Sequence, residues 1–129
     1  MDIVTHGLMG LIGASALWPE HPEAAAAFAF GSAAPDLDAF SRVFGKRAFL
    51  GAHQTWSHAL PVIGALGLVA WGAREAAGVY APWAPAALAA GMAVHALTDW
   101  TNTYGIMLLA PFSRRRYCRE WVFFIDGVV

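Results

Sequence analysis

Met92 to Pro111 reads MAVHALTDWTNTYGIMLLAP and sets a histidine and an aspartate where an apolar helix ordinarily carries neither. His95 and Asp99 are four residues apart, so on a helix they stand one above the other on a single face. The residues before them, Pro85 to Val94, are almost all Ala, Leu, Met and Val, the composition of a buried or lipid-facing helix. An ionisable side chain near the middle of such a segment costs roughly 2.5–3.5 kcal/mol on insertion scales, so two on one face require a partner. A metal ion meets that requirement, because imidazole and carboxylate at this spacing reach one cation together. A neutral His95 hydrogen-bonded to Asp99 inside a bundle is the alternative.

The rest of the composition fits a membrane setting. Hydrophobic residues make up 58% of the 129, and charged residues 13%, against about 25% charged in soluble proteins. Mean hydropathy is +0.50. A formal net charge of −1 gives no basic surface for nucleic acid, and none is expected as a partner. The single cysteine, Cys118, excludes an internal disulfide framework and a cysteine-based zinc site. Trp18, Trp56, Trp83 and Trp121 fall near segment ends, as in an interfacial aromatic belt. The class expected is an all-α, polytopic membrane bundle of four to five apolar helices forming one domain over residues 1–129.

Taken in order, Ile3 to Trp18 is apolar apart from Thr5, His6 and Ser15, with glycine at 7, 10 and 13 to admit a neighbouring helix. Without a basic n-region or a small-residue cleavage site, it is not a signal peptide. After the acidic turn PEHPE, residues 23–34 read as a second helix that Pro35 ends. PDLD follows with Asp36 and Asp38, then a basic loop at 42–51, then HQTWSHALP with His53 and His58. Ser57 or a neighbour is expected to cap a helix running to about Arg74. Pro82 and Pro85 open the helix bearing His95 and Asp99, which Gly105 stops. The apolar run WVFFIDGVV meets the chain end, as in a fragment of a longer protein or an unusually short one.

Counting Lys and Arg orients the segments. Loop 19–23 has none, 42–47 three, 74–82 one and 113–119 four, which places 42–52, 113–119 and the N-terminus in the cytoplasm. That layout brings His6, Asp36, Asp38, His53, His58, His95 and Asp99 to the cytoplasmic ends of four segments. His and Asp ligands suit zinc first, and also manganese or iron. Seven candidates exceed one tetrahedral ion, so one to three ions are expected, with a carboxylate bridging where there are two. His53 and His58 share no helix face and converge only if His53 lies in the loop before the helix. His21 reads as solvated surface, Arg114–Arg116 as an anchor on anionic headgroups, and Cys118 and Asp126 take no role.

The same residues carry a resemblance. THGLMG (5–10), GSAAPDLD (31–38), HQTWSHAL (53–60), HALTD (95–99) and YGIMLLAPFSRRRY (104–117) resemble the successive motifs of the bacterial membrane-bound metal-dependent hydrolase family, which includes LexA-regulated inner-membrane members. The likeness runs in order over nearly the whole chain. Members commonly continue past Ile-Asp-Pro into further apolar helices, whereas Gly127 follows Ile125 and Asp126 here. More distantly, the chain is similar to the zinc-dependent phospholipase C and single-strand nuclease superfamily. That similarity implies His95 and Asp99 as ligands, Asp36 as a bridging or terminal ligand, and His53 or His58 on a second ion. It also implies hydrolysis of phosphoester or lipid phosphodiester bonds.

Two functions follow as expectations. One is a multi-pass inner-membrane hydrolase that turns metal-activated water on a lipid or small-molecule substrate, with Asp38 taking the proton. The other is a cation or proton transporter, or a structural metal-binding membrane protein. A pathway needs ionisable groups throughout the bilayer, and 62–73 and 85–94 contain none. The oligomeric state is left open by the sequence.

Overall fold

The computed structural model describes residues 3–121; Asp126 lies outside them. In chain order come α1 (Ile3–Leu17), α2 (Pro22–Ala33), a 3₁₀ segment (Ala34–Phe44), α3 (Lys46–Ala52), a 3₁₀ turn (Trp56–His58), α4 (Leu60–Ala77) and α5 (Ala84–Trp100). Among the described residues there is no strand, only an isolated antiparallel bridge between Ile106 and Tyr117. Proline sits in the first turn of α2, α4 and α5, where its missing N–H is no loss. Gly78, with φ +63°, closes α4, its N–H donating to Glu75 O and that of Val79 to Arg74 O.

The second helix ends at Ala33, just before Pro35 as expected, and a 3₁₀ segment follows directly. Three local expectations are corrected. The basic loop at 42–51 is instead the end of the 3₁₀ segment followed by α3. Ser57 does not cap α4, which starts at Leu60 with no side-chain cap, because the Ser57 hydroxyl is engaged with Asp38. The last helix ends at Trp100 rather than Gly105. There the Asn102 side-chain oxygen accepts from the N–H groups of Tyr104 and Gly105 and turns the chain.

Packing directions follow from paired positions. Gly13 faces Phe28 and Gly10 faces Ser32, so α1 and α2 run antiparallel. Gly91 faces Phe28 and Ser32, and His95 bonds Ser32, so α2 and α5 run parallel. Gly67 faces Ala89 while Ile63 packs with Met92 and Ala96, so α4 and α5 run antiparallel. α5 is thus central. The start of α1, the ends of α2 and α5 and the approach to α4 all meet at one end of the bundle.

Among the described residues, only α4 is both long and apolar enough to cross a membrane, and just Ile63 and Gly67 of it are buried. Apolar α1 is shorter and leaves Leu8, Leu11 and Ile12 exposed. At 15, 12 and 17 residues, α1, α2 and α5 fall below the ~20 of a full perpendicular span. Their small residues instead let backbones touch. A Cβ at Gly91 would lie 2.2 Å from the Phe28 carbonyl oxygen, and one at Gly31 2.4 Å from that of Leu88. Neither obstacle is a side chain that can swing away. Gly91→Ala is therefore expected to destabilise by about 1–3 kcal/mol. Gly64→Ala, with nothing within 4 Å of the new Cβ, should be neutral or stabilising; thermal unfolding in detergent compares the two.

Candidate metal centre

Asp36, His58, His95 and Asp99 are all buried, and one ligand atom from each lies within 4.8 Å of every other. His58 Nε2 is 3.0 Å from His95 Nε2 and 3.2 Å from Asp99 Oδ2. His95 Nε2 is 3.7 Å from Asp99 Oδ2 and 3.5 Å from Asp36 Oδ1. Donors about 2.05 Å from a tetrahedral ion would stand about 3.3 Å apart. The four distances above, 3.0–3.7 Å, bracket that spacing, and no pair stands more than 4.8 Å apart.

Hydrogen bonds behind the cluster fix both imidazoles. His95 Nδ1 lies 2.6 Å from the Ser32 carbonyl oxygen, which only accepts, so Nδ1 carries the proton. That carbonyl is available because Pro35, three residues on, has no N–H for a 3₁₀ bond. Ser57 Oγ lies 2.5 Å from Asp38 Oδ2 and 2.9 Å from His58 Nδ1. Its one proton goes to the carboxylate, so it accepts from His58 Nδ1–H. When both rings are neutral, the two Nε2 atoms present lone pairs to each other across 3.0 Å. Burial, the leading influence on it, pushes the His58 pKa down and favours its neutral form. Both Asp36 carboxylate oxygens are buried and accept no hydrogen bond, a costly state unless a cation is present. Two facing lone pairs and an orphaned carboxylate fit a divalent ion.

The other three predicted residues stand one contact outside these four. His6 Nε2–H donates to Asp99 Oδ1 at 3.2 Å, and its ring stacks on His95 at 3.7 Å. Asp38 accepts from His53 Nδ1 at 2.6 Å and from the Gln54 N–H at 3.2 Å. His53 lies between α3 and the 3₁₀ turn, the loop position that lets it converge with His58. Burial works to raise the Asp38 carboxyl, but hydrogen bonds from His53 and Ser57 prevail and hold it below its ordinary 3.8. Burial likewise works to lower His53, and its bond to Asp38 prevails and raises it above 6.5. His21 contacts Glu23 and Trp83 at the opposite end of the bundle.

Gln54, Ser57 and the Ser32 carbonyl are site groups that the sequence reading missed. Gln54 is buried and takes a left-handed φ of +59°, a strained state for a non-glycine residue. Its side chain donates to Asp99 Oδ2 at 3.5 Å, and its carbonyl accepts from Met107 N–H. Gln54 and Ser57 lie inside HQTWSH, so the motif itself held their signal. A backbone carbonyl leaves none.

With this geometry in place, the whole chain, residues 1–129, matches the family model described as YdjM inner membrane protein. The chain belongs to the YdjM inner membrane protein family. No curated protein and no solved structure matches it. The YdjM description fixes a location, the inner membrane, and names no reaction.

The paired shifts carry a pH signature. A raised His53 stabilises the fold below about 6.5 and loses that contribution as pH climbs through its folded pKa. A lowered Asp38 stabilises above about 3.8 and loses that contribution as pH falls through its own folded pKa. Between these limits both contributions are present. In chelator-treated protein, His53→Gln should therefore lower Tm most near pH 5 and progressively less above about pH 7.

Proposed function

We propose that the protein is a metal-dependent hydrolase of the inner membrane, acting on phosphoester or lipid phosphodiester bonds at the cytoplasmic face. The observation that carries this reading is the pair of facing lone-pair nitrogens beside an unpartnered buried aspartate. Asp36, His58, His95 and Asp99 hold the ion, which the donor set suggests is zinc, with manganese or iron also compatible. When bound, such an ion polarises a phosphoryl oxygen and brings a water's pKa towards 7.

Each remaining residue has a task at a named atom. Ser32 O and Ser57 Oγ hold protons on the far nitrogens of His95 and His58, aiming both Nε2 atoms inward. His6 holds Asp99 Oδ1 and thereby orients Asp99 Oδ2 towards the ion. Asp38 is the proton acceptor, linked to the cluster through Ser57. His53 Nδ1–H donates to Asp38 and holds that carboxylate in place, and the His53 side chain, 23% exposed, meets solvent. The ion also ties the ends of several elements together, so a purely structural metal is the competing reading.

Purified in detergent, the protein should retain about one divalent ion per chain by elemental analysis. His95→Ala and Asp36→Asn should abolish retention, and His21→Ala should keep it. Affinity should fall as pH is lowered, because ligand imidazoles must be neutral. Chelator-sensitive cleavage of bis(4-nitrophenyl) phosphate separates hydrolase from structural metal. Full metal content in His95→Ala would refute the site.

The multi-pass layout with a cytoplasmic N-terminus belongs to the same proposal. Seven of the eight Lys and Arg lie in 42–47 and 113–119. Both segments sit at the cluster end, where Asp38 bonds His53 and where Arg119 N–H reaches Trp100 O. Cysteines placed at 46 and 115 should label from the cytoplasmic side alone; opposite accessibility would overturn the layout.

A further inference from the structure

Beside the cluster, a cleft of about 370 Å³ opens between the 51–56 turn and the 107–114 loop. Thr55, Trp56, Met107, Ala110, Pro111 and Arg114 line it. Its two walls are joined where the Met107 N–H donates to the Gln54 carbonyl at 3.1 Å. One short stretch therefore serves both places. Gln54 and His58 turn to the cluster, while Thr55 and Trp56 turn to the cleft. The strained φ of +59° at Gln54 is where the chain makes that division.

The walls mix polar and apolar surface: Trp56, Met107, Ala110 and Pro111 supply the apolar part, Thr55 a hydroxyl, and Arg114 the one charge among the lining residues. A guanidinium beside such walls matches a phosphate attached to a hydrophobic body, since its fork pairs bidentately with phosphate oxygens. The surroundings choose lipid over a free ion. Phe112 is 84% exposed and Trp56 59%, and in an inner membrane protein such aromatic residues belong at the headgroup level. Arg115, Arg116 and Arg119 add positive charge on the same loop, with Glu120 the acidic residue close by.

We propose that this cleft binds the phosphate headgroup of an anionic membrane lipid, with Arg114 on the phosphate and Trp56 and Met107 on the adjoining glycerol and acyl carbons. Resting on the hydrolase reading, this names the substrate class of the same site. The cleft connects to the cluster through Gln54, whose carbonyl accepts from Met107 N–H and whose side chain donates to Asp99 Oδ2.

The test is calorimetric titration of the full chain in dodecyl maltoside with dihexanoyl phosphatidic acid, with inorganic phosphate as a separate arm. Metal content is measured on every sample. Saturable lipid binding is expected, weakened at least about tenfold by Arg114→Gln. Arg115→Gln, whose guanidinium sits over Tyr117 instead, should change it by less than about twofold. Arg114→Gln should keep its metal, and phosphate should bind at least about tenfold more weakly than the lipid. Equal losses in the two arginine variants would mean diffuse attraction and would overturn the cleft. Non-saturable binding, or phosphate binding as tight as the lipid's, would also overturn it. Arg114-dependent lipid binding in a chain that holds no metal would support the cleft while removing the hydrolase reading.

Discussion

Two imidazoles face each other nitrogen to nitrogen across 3.0 Å, with two carboxylates beside them. Left to itself this arrangement is repulsive, and burial removes the water that would screen it. It persists because each imidazole is held from behind, His95 by a backbone carbonyl and His58 by a serine that a carboxylate fixes in turn. Those supports come from α2 and the 3₁₀ segment, whereas the imidazoles come from α5 and the approach to α4. The backbone contact of α2 with α5 at Gly31 and Gly91 therefore sets the position of the chemistry as well as the fold.

Much of this was legible in the sequence because it is local. His95 and Asp99 at i, i+4 declared one face, and charge counting brought the ligand-type residues to one end. The split within PDLD was not legible. Asp36 and Asp38 look equivalent in sequence, but a 3₁₀ helix turns about 120° per residue. Two residues along, the carboxylates diverge, Asp36 into the cluster and Asp38 towards His53 and Ser57. Helix α3 was hidden because KRAFLG carries no capping signal and buries no residue. Gly105, with φ +73°, looked like a helix stop but serves a turn after one, since the Asn102 side chain had already turned the chain by accepting from the N–H groups of Tyr104 and Gly105.

The membrane setting accounts for surfaces that would otherwise be liabilities. α4 and α1 present apolar side chains outward, and around the cluster Phe40, Phe44 and Phe112 are all more than half exposed. Lipid satisfies the helix flanks, and headgroups suit the mixed aromatic and basic end.

Pro35 stands three residues after Ser32 and has no N–H, so it makes no 3₁₀ bond to the carbonyl that holds His95 Nδ1. Any other residue there would bring a second donor to that oxygen, which has two lone pairs to share. The proline works by withholding a donor. Transplanting this centre into another helical scaffold would therefore mean carrying the Ser32 carbonyl and the proline behind it along with the four ligands.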